Sequence, residues 1–337
     1  MKNIVLLCFL SAFSLFSQQR LLIEERGRYG YIDSAGSIVI APEYNTRSHF
    51  KEGKAKQITT RWLVDQETFF LNPDGSTAFE TYYNAAGDFS EGLAKVLDVS
   101  WALWRYWGFI DTAGKEVIAP EYSDAGDFHN GRAWVVKRPI LFPGAEPSYY
   151  GFINTAGQLV VNYQYDHAGD FSEGLAMVNM KGACGFIDTS GAVAIEPRYE
   201  RASSFSEGLA RVKRSGVWGY IDRTGKTIIP MEYEEARDFS DGAALVKKNG
   251  QWSFIDRSGT IFLPVTHKEV QFFSEGLASF RENGRYGFMD KSGTVTIEPK
   301  FVNVQPFRNG IAAAETEFEH GYIDRSGAFF WKRSRNK

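Results

Sequence analysis

The sequence predicts an all-β protein: a tandem array of about nine three-stranded β-meanders, open or superhelical, with a β-propeller as the alternative. Three observations predict it. Aromatic residues make up 15% of the 337 residues and glycines number 33, a balance that favours short strands between glycine turns. A motif of aromatic, glycine, aromatic, aliphatic and Asp or Asn recurs along the chain. Within each copy apolar and polar residues alternate at period 2, the period of a strand.

The first residues stand apart from the array. Lys2 and Asn3 precede a largely apolar run from Ile4 to Phe16, and Ser17, Gln18 and Gln19 follow. That run is shorter than the roughly 20 residues needed to cross a bilayer, but it suits the hydrophobic region of a secretory signal. Residues 1–17 are read as a signal peptide cleaved near Ser17, with a short uncleaved anchor as the alternative, and residues 18–337 as the array. The mature chain is expected to be exported (periplasmic, cell-surface or extracellular), without stable membrane insertion. Cleavage removes Cys8 and leaves Cys184 as the single thiol, so stability is expected from core and repeats rather than disulfides. Cys184 stands where other copies carry Trp or Tyr and is read as a small buried hydrophobe.

The motif appears at Tyr29–Asp33, Trp107–Asp111, Tyr150–Asn154, Cys184–Asp188, Trp218–Asp222, Tyr286–Asp290 and His320–Asp324, with degenerate copies at Trp252–Asp256 and Phe69–Asn72. Each copy leads into a turn ending in glycine, from Gly36 to Gly327. From a turn glycine to the alanine of the next copy, as from Gly36 to Ala55, the separation is 19 residues in all eight cases. From that alanine to the next turn glycine it is 20, 20 and 24 in the first three intervals and 15 in the last five. All length variation therefore falls in one connection. Copies with extended loops occupy 54–157 and regular 34-residue copies occupy 158–327.

One regular copy illustrates the expected elements. In Leu209–Lys213, Ala210 and Val212 share one face, with Arg211 and Lys213 on the other. Ser215 and Gly216 turn the chain into a second strand, Trp218–Asp222, where Gly219 admits a close neighbour. Asp222–Gly225 is a turn whose Asp side chain accepts a backbone N–H two residues on. Lys226–Pro230 is the third strand, which Pro230 is expected to end because proline cannot donate to a ladder. The segment 232–242 then crosses to the next copy. Its Tyr233 and Phe239 recur as Tyr44 and Phe50, Tyr122 and Phe128, Tyr165 and Phe171, and Tyr199 and Phe205, and are read as buried staples between neighbours.

A 34-residue period also suits paired-helix repeats. Glycine and proline fall inside every candidate helix, however, and the period is 2, which rejects them. Nine complete strand triplets counted from Leu21 leave the two ends in phase, which favours an open array over a propeller that borrows a strand from the other terminus.

With Trp107-Gly108 and Trp218-Gly219, the pattern W/Y-G-Y/F-I-D-x-x-G, then I-x-P-x-Y, then F-S-E-G-L-A resembles the WG-repeat family over residues 21–332. The resemblance implies a β-rich repeat protein, commonly bacterial, and brings no activity and no catalytic residues. The second copy departs from the pattern by lacking the glycine. The seventh departs through Ser253 and the absence of Tyr after Pro264.

Function is read from what is excluded and from the variable connection. With 38 Lys and Arg against 41 Asp and Glu, no global field draws the chain to nucleic acid. The histidines His49, His129, His167, His267 and His320 are scattered, with no zinc spacing, nucleophile elbow or phosphate loop, so neither an enzyme nor a cofactor or metal is expected. Glu91, Glu173, Glu207, Asp241 and Glu275 recur before a glycine, but lack the alternating carboxylates of a calcium loop. The long connections, residues 58–68, 97–106 and 138–149, join the same two strands and are expected to project from one edge. They carry Arg61, Trp62, Trp101, Trp104, Arg105, Leu141 and Phe142. Trp and Arg are typical binding hot spots, and Trp stacks on sugar rings. The expected function is an exported, non-catalytic binding or scaffold protein that recognises a protein or glycan on this edge. The alternatives are that the loops merely cap the N-terminal copies, and that the chain is a structural envelope repeat without a discrete ligand.

Overall fold

The structure, a computed structural model, describes residues 19–61, 65–99, 105–137, 149–267 and 269–334, and only the backbone of 59–61 and 65–67. The expected signal peptide, residues 1–17, lies outside the described residues. Among the described residues there is no helix, and the strands form nine antiparallel sheets in chain order, each from consecutive strands. The chain is an all-β tandem repeat. The first two sheets, residues 21–44 and 55–81, have three strands and the other seven have four. The expected three-stranded meander is present in every copy. The segment read as a mere crossing supplies the additional outer strand, as Arg201–Ala202 pairs with Lys213 and Val212. A four-stranded meander is the blade unit of β-propellers, so the individual sheet is that of the propeller alternative.

The described residues up to 129, with 135–137 and 153–158, form one compact unit, and 130–134, 149–152 and 159–334 form another. The first contains the sheets of residues 21–44, 55–81 and 85–122. The second contains the five sheets from 167–199 to 303–334.

The sheet of residues 201–233 shows how the sequence makes the unit. Ala210 and Val212 are fully buried, while the guanidinium of Arg211 lies over the Trp218 ring at 5.1 Å and pairs with Asp238 at 2.8 Å. Ser215 and Gly216 both hold positive φ, 51° and 81°, the conformation a two-residue hairpin turn needs to match strand twist. Asp222 Oδ1 accepts the N–H groups of Thr224 and Lys226 at 2.9 and 3.1 Å, and the N–H of Gly225 donates to the Asp222 carbonyl.

Pro230 does not end the third strand, contrary to expectation. The strand runs Thr227–Tyr233 through a bulge, because Tyr220 faces Ile229 while Trp218 faces Tyr233. Residues inside a bulge are unpaired, so the missing N–H of Pro230 costs no ladder bond. Gly219 lies against this bulge: a Cβ there would sit 2.7 Å from the Ile229 carbonyl oxygen. The same shift recurs at Tyr29 and Tyr44, Trp107 and Tyr122, Cys184 and Tyr199, and Tyr286 and Phe301. The two departures behave differently. Phe69 and Ser253 stand in place of the glycine and pair directly with Glu80 and Pro264, without the excess residues.

Three contacts join successive copies. The motif aromatic meets the phenylalanine 19 positions later with ring centroids 4.8 to 5.1 Å apart in the first unit, from Tyr31–Phe50 to Phe109–Phe128. In the second unit the same pairs, from Phe152–Phe171 to Phe288–Phe307, lie 4.6 to 5.1 Å apart. Phe128, Phe171, Phe205 and Phe239 are buried, as the staple reading expects, each contributing about 1.5 to 3 kcal/mol by burial. Where a serine follows the phenylalanine, it donates to the carbonyl of the next one, as Ser206 Oγ does to Phe239 O at 2.8 Å and Ser240 Oγ to Phe273 O at 2.8 Å. The acidic residue two positions after the phenylalanine provides the third contact.

Candidate functional site

The hairpin between the two long strands of each meander sets the candidate edge. In the sheet of residues 201–233 its strands pair from Leu209 with Asp222 to Arg214 with Val217, leaving a two-residue turn. In the second copy, Ala55–Arg61 pairs residue for residue with Asp65–Leu71, and in the third Leu93–Val99 pairs with Arg105–Asp111. Part of the five extra residues of these copies is therefore strand, two more pairs in one and one more pair in the other, while 62–64 and 100–104 lie outside the described residues. Much of 58–68 and 97–106 is therefore strand rather than loop. Both insertions lengthen the same pair of strands, within one unit.

Arg61 closes the strand Ala55–Arg61 opposite Asp65, and Arg105 opens its strand opposite Val99 with an exposed side chain. Trp62, Trp101, Trp104, Leu141 and Phe142 lie outside the described residues. On the third hairpin's strands, Asn84 Oδ1 accepts the Val99 N–H at 2.8 Å, and Lys95 sits 5.6 Å over the Trp107 ring and 3.3 Å from Asp127. The base of this hairpin is thus tied by hydrogen bonding and by a cation held between an aromatic face and a carboxylate.

The profile of the family described as "WG containing repeat" matches residues 29–56, 69–97, 107–138, 150–182, 185–217, 218–252, 252–286 and 286–317. The chain belongs to the WG-repeat family. No curated protein matches this WG-repeat chain. Among solved structures it is similar to apo AztD from Citrobacter koseri, at 13% identity over 82% of this chain and 93% of that one, with a TM-score of 0.43. It is also similar to Kluyveromyces lactis Hsv2 with complete loop 6CD (8% identity, 58% and 70% covered, TM-score 0.36). Kluyvelomyces marxianus Hsv2 follows at 9% identity, 61% and 77% covered, and a TM-score of 0.35.

Within the WG repeats, the recurring acidic residues do a job that their sequence pattern did not reveal. Glu91, Glu173, Glu207, Asp241 and Glu275 all hold positive φ, between 52° and 54°. The carboxylate of Glu173 accepts the N–H of Gly208 at 2.9 Å, that of Glu207 the N–H of Gly242 at 2.9 Å, and that of Asp241 the N–H of Gly276 at 2.6 Å. Glu275 does the same for Gly310 at 2.9 Å. Glu173, Glu207, Asp241 and Glu275 therefore each clip the corresponding turn of the next copy. A cation from further along closes some clips: Lys291 donates to the Asp241 carbonyl and Arg325 to the Glu275 carbonyl at 2.9 Å. The 34-residue spacing of a Glu before each glycine was the available signal. It was missed because the partner is a backbone N–H, which has no sequence signature. Among the described residues no group of His, Cys, Asp and Glu is placed to hold a metal ion.

The remaining reactive side chains are engaged in packing. Cys184 is buried, 6% exposed, facing Tyr199 across the ladder. His167 packs on Tyr150 at 5.1 Å, and His267, which stands at the position of the missing tyrosine, lies on Phe280 at 4.2 Å. Burial pushes the Tyr31 phenol up to about 12, and its hydroxyl donates to Ser48 O and accepts from Gln57 Nε2. The turn aspartates Asp188, Asp222, Asp256, Asp290 and Asp324 are held below the usual carboxylate value, chiefly by the hydroxyl two residues on.

Proposed function

We propose that this WG-repeat chain is an exported, non-catalytic binding protein that takes a protein or glycan surface on the hairpin tips of its second to fourth copies. The observation that supports it is the placement of the two five-residue insertions: both lengthen the same strand pair within one unit and end in segments containing Trp62, Trp101 and Trp104. Tryptophan on a tip presents a large rigid face to a partner or a sugar. Rigid sheets supporting variable hairpins are a common way to hold such a face, since loops carry function on a stable scaffold.

The test is binding of the mature chain to a glycan array and to proteins captured from the native envelope. Trp101→Ala with Trp104→Ala is expected to weaken the identified partner by roughly thirtyfold, as loss of a hot spot does. Unchanged affinity for every partner would remove the site. N-terminal sequencing of protein from the native cell checks export, with a first residue close to Gln18 as the expected result.

A further inference from the structure

We propose that the seventh sheet carries a binding site of its own, a cavity for a single pyranose ring, opened where the repeat drops its bulge. The site is independent of the hairpin tips. In the bulged sheets, excess residues of the third strand lie over the motif glycine. In the sheet of residues 235–264, Ser253 pairs directly with Pro264, and next to it lies a cavity of about 170 Å3.

Its lining is mixed. The larger part of the lining surface is apolar, from residues such as Val246 and Ile261, and Tyr233, Lys248, Asn249, Gln251 and Ser253 bring the polar groups among its residues. Ser253 is 7% and Tyr233 3% exposed, yet among the described residues no hydrogen bond engages either hydroxyl or the Asn249 amide. By contrast Tyr220, equally buried, donates to Arg237 O at 2.7 Å. Gln251 Nε2 donates to the carbonyls of Trp252 and Val265, at 3.1 and 2.6 Å, which fixes the carboxamide. Lys248 is already paired with Glu232 at 2.9 Å, so the cavity presents little net charge.

These features select a ligand class. An anion would compete with Glu232 for Lys248, and a purely apolar molecule would leave the two hydroxyls unpaired. A sugar ring has hydroxyls that both donate and accept, matching the hydroxyl and amide groups, and a C–H face that matches Tyr233 and Ile261. A cavity of roughly 150 Å3 accommodates a benzene-sized molecule, so one six-membered ring fits with the hydroxyls of one edge toward Ser253 and Tyr233 and its other substituents toward the open mouth.

The experiment is calorimetric and NMR titration of the full mature chain with glucose, galactose, mannose and N-acetylglucosamine, and with oligosaccharides ending in each. At least one sugar is expected to bind saturably with Kd of about 1 mM, the range for a ligand of this size. Tyr233→Phe keeps the buried ring and removes one hydroxyl. Gln251→Ala removes a polar group of the lining together with its hydrogen bonds to the Trp252 and Val265 carbonyls, so its fold is checked by circular dichroism, and both variants are expected to bind roughly tenfold more weakly. Trp101→Ala with Trp104→Ala is expected to leave this binding unchanged, which separates it from the hairpin reading. Tighter binding of an oligosaccharide than of its terminal sugar identifies a glycan end as the ligand, and equal binding a free hexose. The site is overturned if no sugar in the panel binds saturably, or if both variants bind like the parent.

Discussion

Glycine has two distinct uses in this chain, and they predict different costs. At Gly219 a Cβ would lie 2.7 Å from backbone atoms of the bulge, which cannot move without unmaking it. Gly219→Ala is therefore expected to cost at least about 2 kcal/mol in urea unfolding. At Gly216 nothing lies within 4 Å, and only the positive φ of 81° is strained, so Gly216→Ala is expected to cost about 1 kcal/mol. Equal losses would mean that the bulge does not require its glycine. Titration adds a second pair of expectations. The Asp222 carboxyl is held low by the Thr224 hydroxyl, so its contribution is present above the ordinary value of 3.8 and is lost as pH falls through the lower folded value. Thr224→Val should raise the Asp222 midpoint in a carboxyl NMR titration. For Tyr31 the sign is opposite: its contribution is full below pH 10 and disappears as pH rises toward about 12. Tyr31→Phe is expected to flatten the alkaline limb of the stability profile.

Between elements, the coupling of one copy to the next rests on a buried ring pair, a serine hydroxyl and an acidic clip. Glu207 is half-buried and its partner is a backbone N–H, so Glu207→Ala leaves Gly242 without an acceptor and is expected to cost about 1 kcal/mol. Glu207→Gln keeps an acceptor at that position and should recover most of the loss. If the two variants lost the same stability in urea, charge rather than the hydrogen bond would hold the copies together. Phe205→Ala removes half of the Phe186–Phe205 pair, 4.9 Å apart, and is expected to cost about 3 to 5 kcal/mol. The invariant separation of 19 residues has its reason here, since it places the ring, the hydroxyl and the acid of one copy in register with the preceding sheet.

For the whole chain, repeats that lean on neighbours imply stability that is local first and global second. Cys184 reports on this, because it is buried in one cluster with Phe205, Ala210 and Ile221. A thiol reagent should label it slowly in the native protein. Phe205→Ala is expected to accelerate labelling far more than Phe307→Ala, whose cluster is built around Phe288, Ile297 and Phe301. Equal acceleration by both would show that the copies open together.

Strand content, the turns and the staple positions were legible in the sequence, because period-2 alternation, Asp-x-x-Gly turns and recurring aromatics act over a few residues. Of the tyrosines read as buried, Tyr122, Tyr165, Tyr199 and Tyr233 are so, whereas Tyr44, like Phe50, is only half-buried in the first copy. The candidate site is read as an edge marked by the length of one connection, and most of its residues lie outside the described residues; that the extra residues of the second and third copies lengthen the strands was not legible. Three further features needed the tertiary structure: the bulge that carries the third strand past Pro230, the acids that bind glycine N–H groups 35 residues away, and the cavity beside Ser253. The physical reason is common to all three. Each depends on a backbone group or an empty volume supplied by another strand or another copy, and neither is written in the side chains of the segment that uses it.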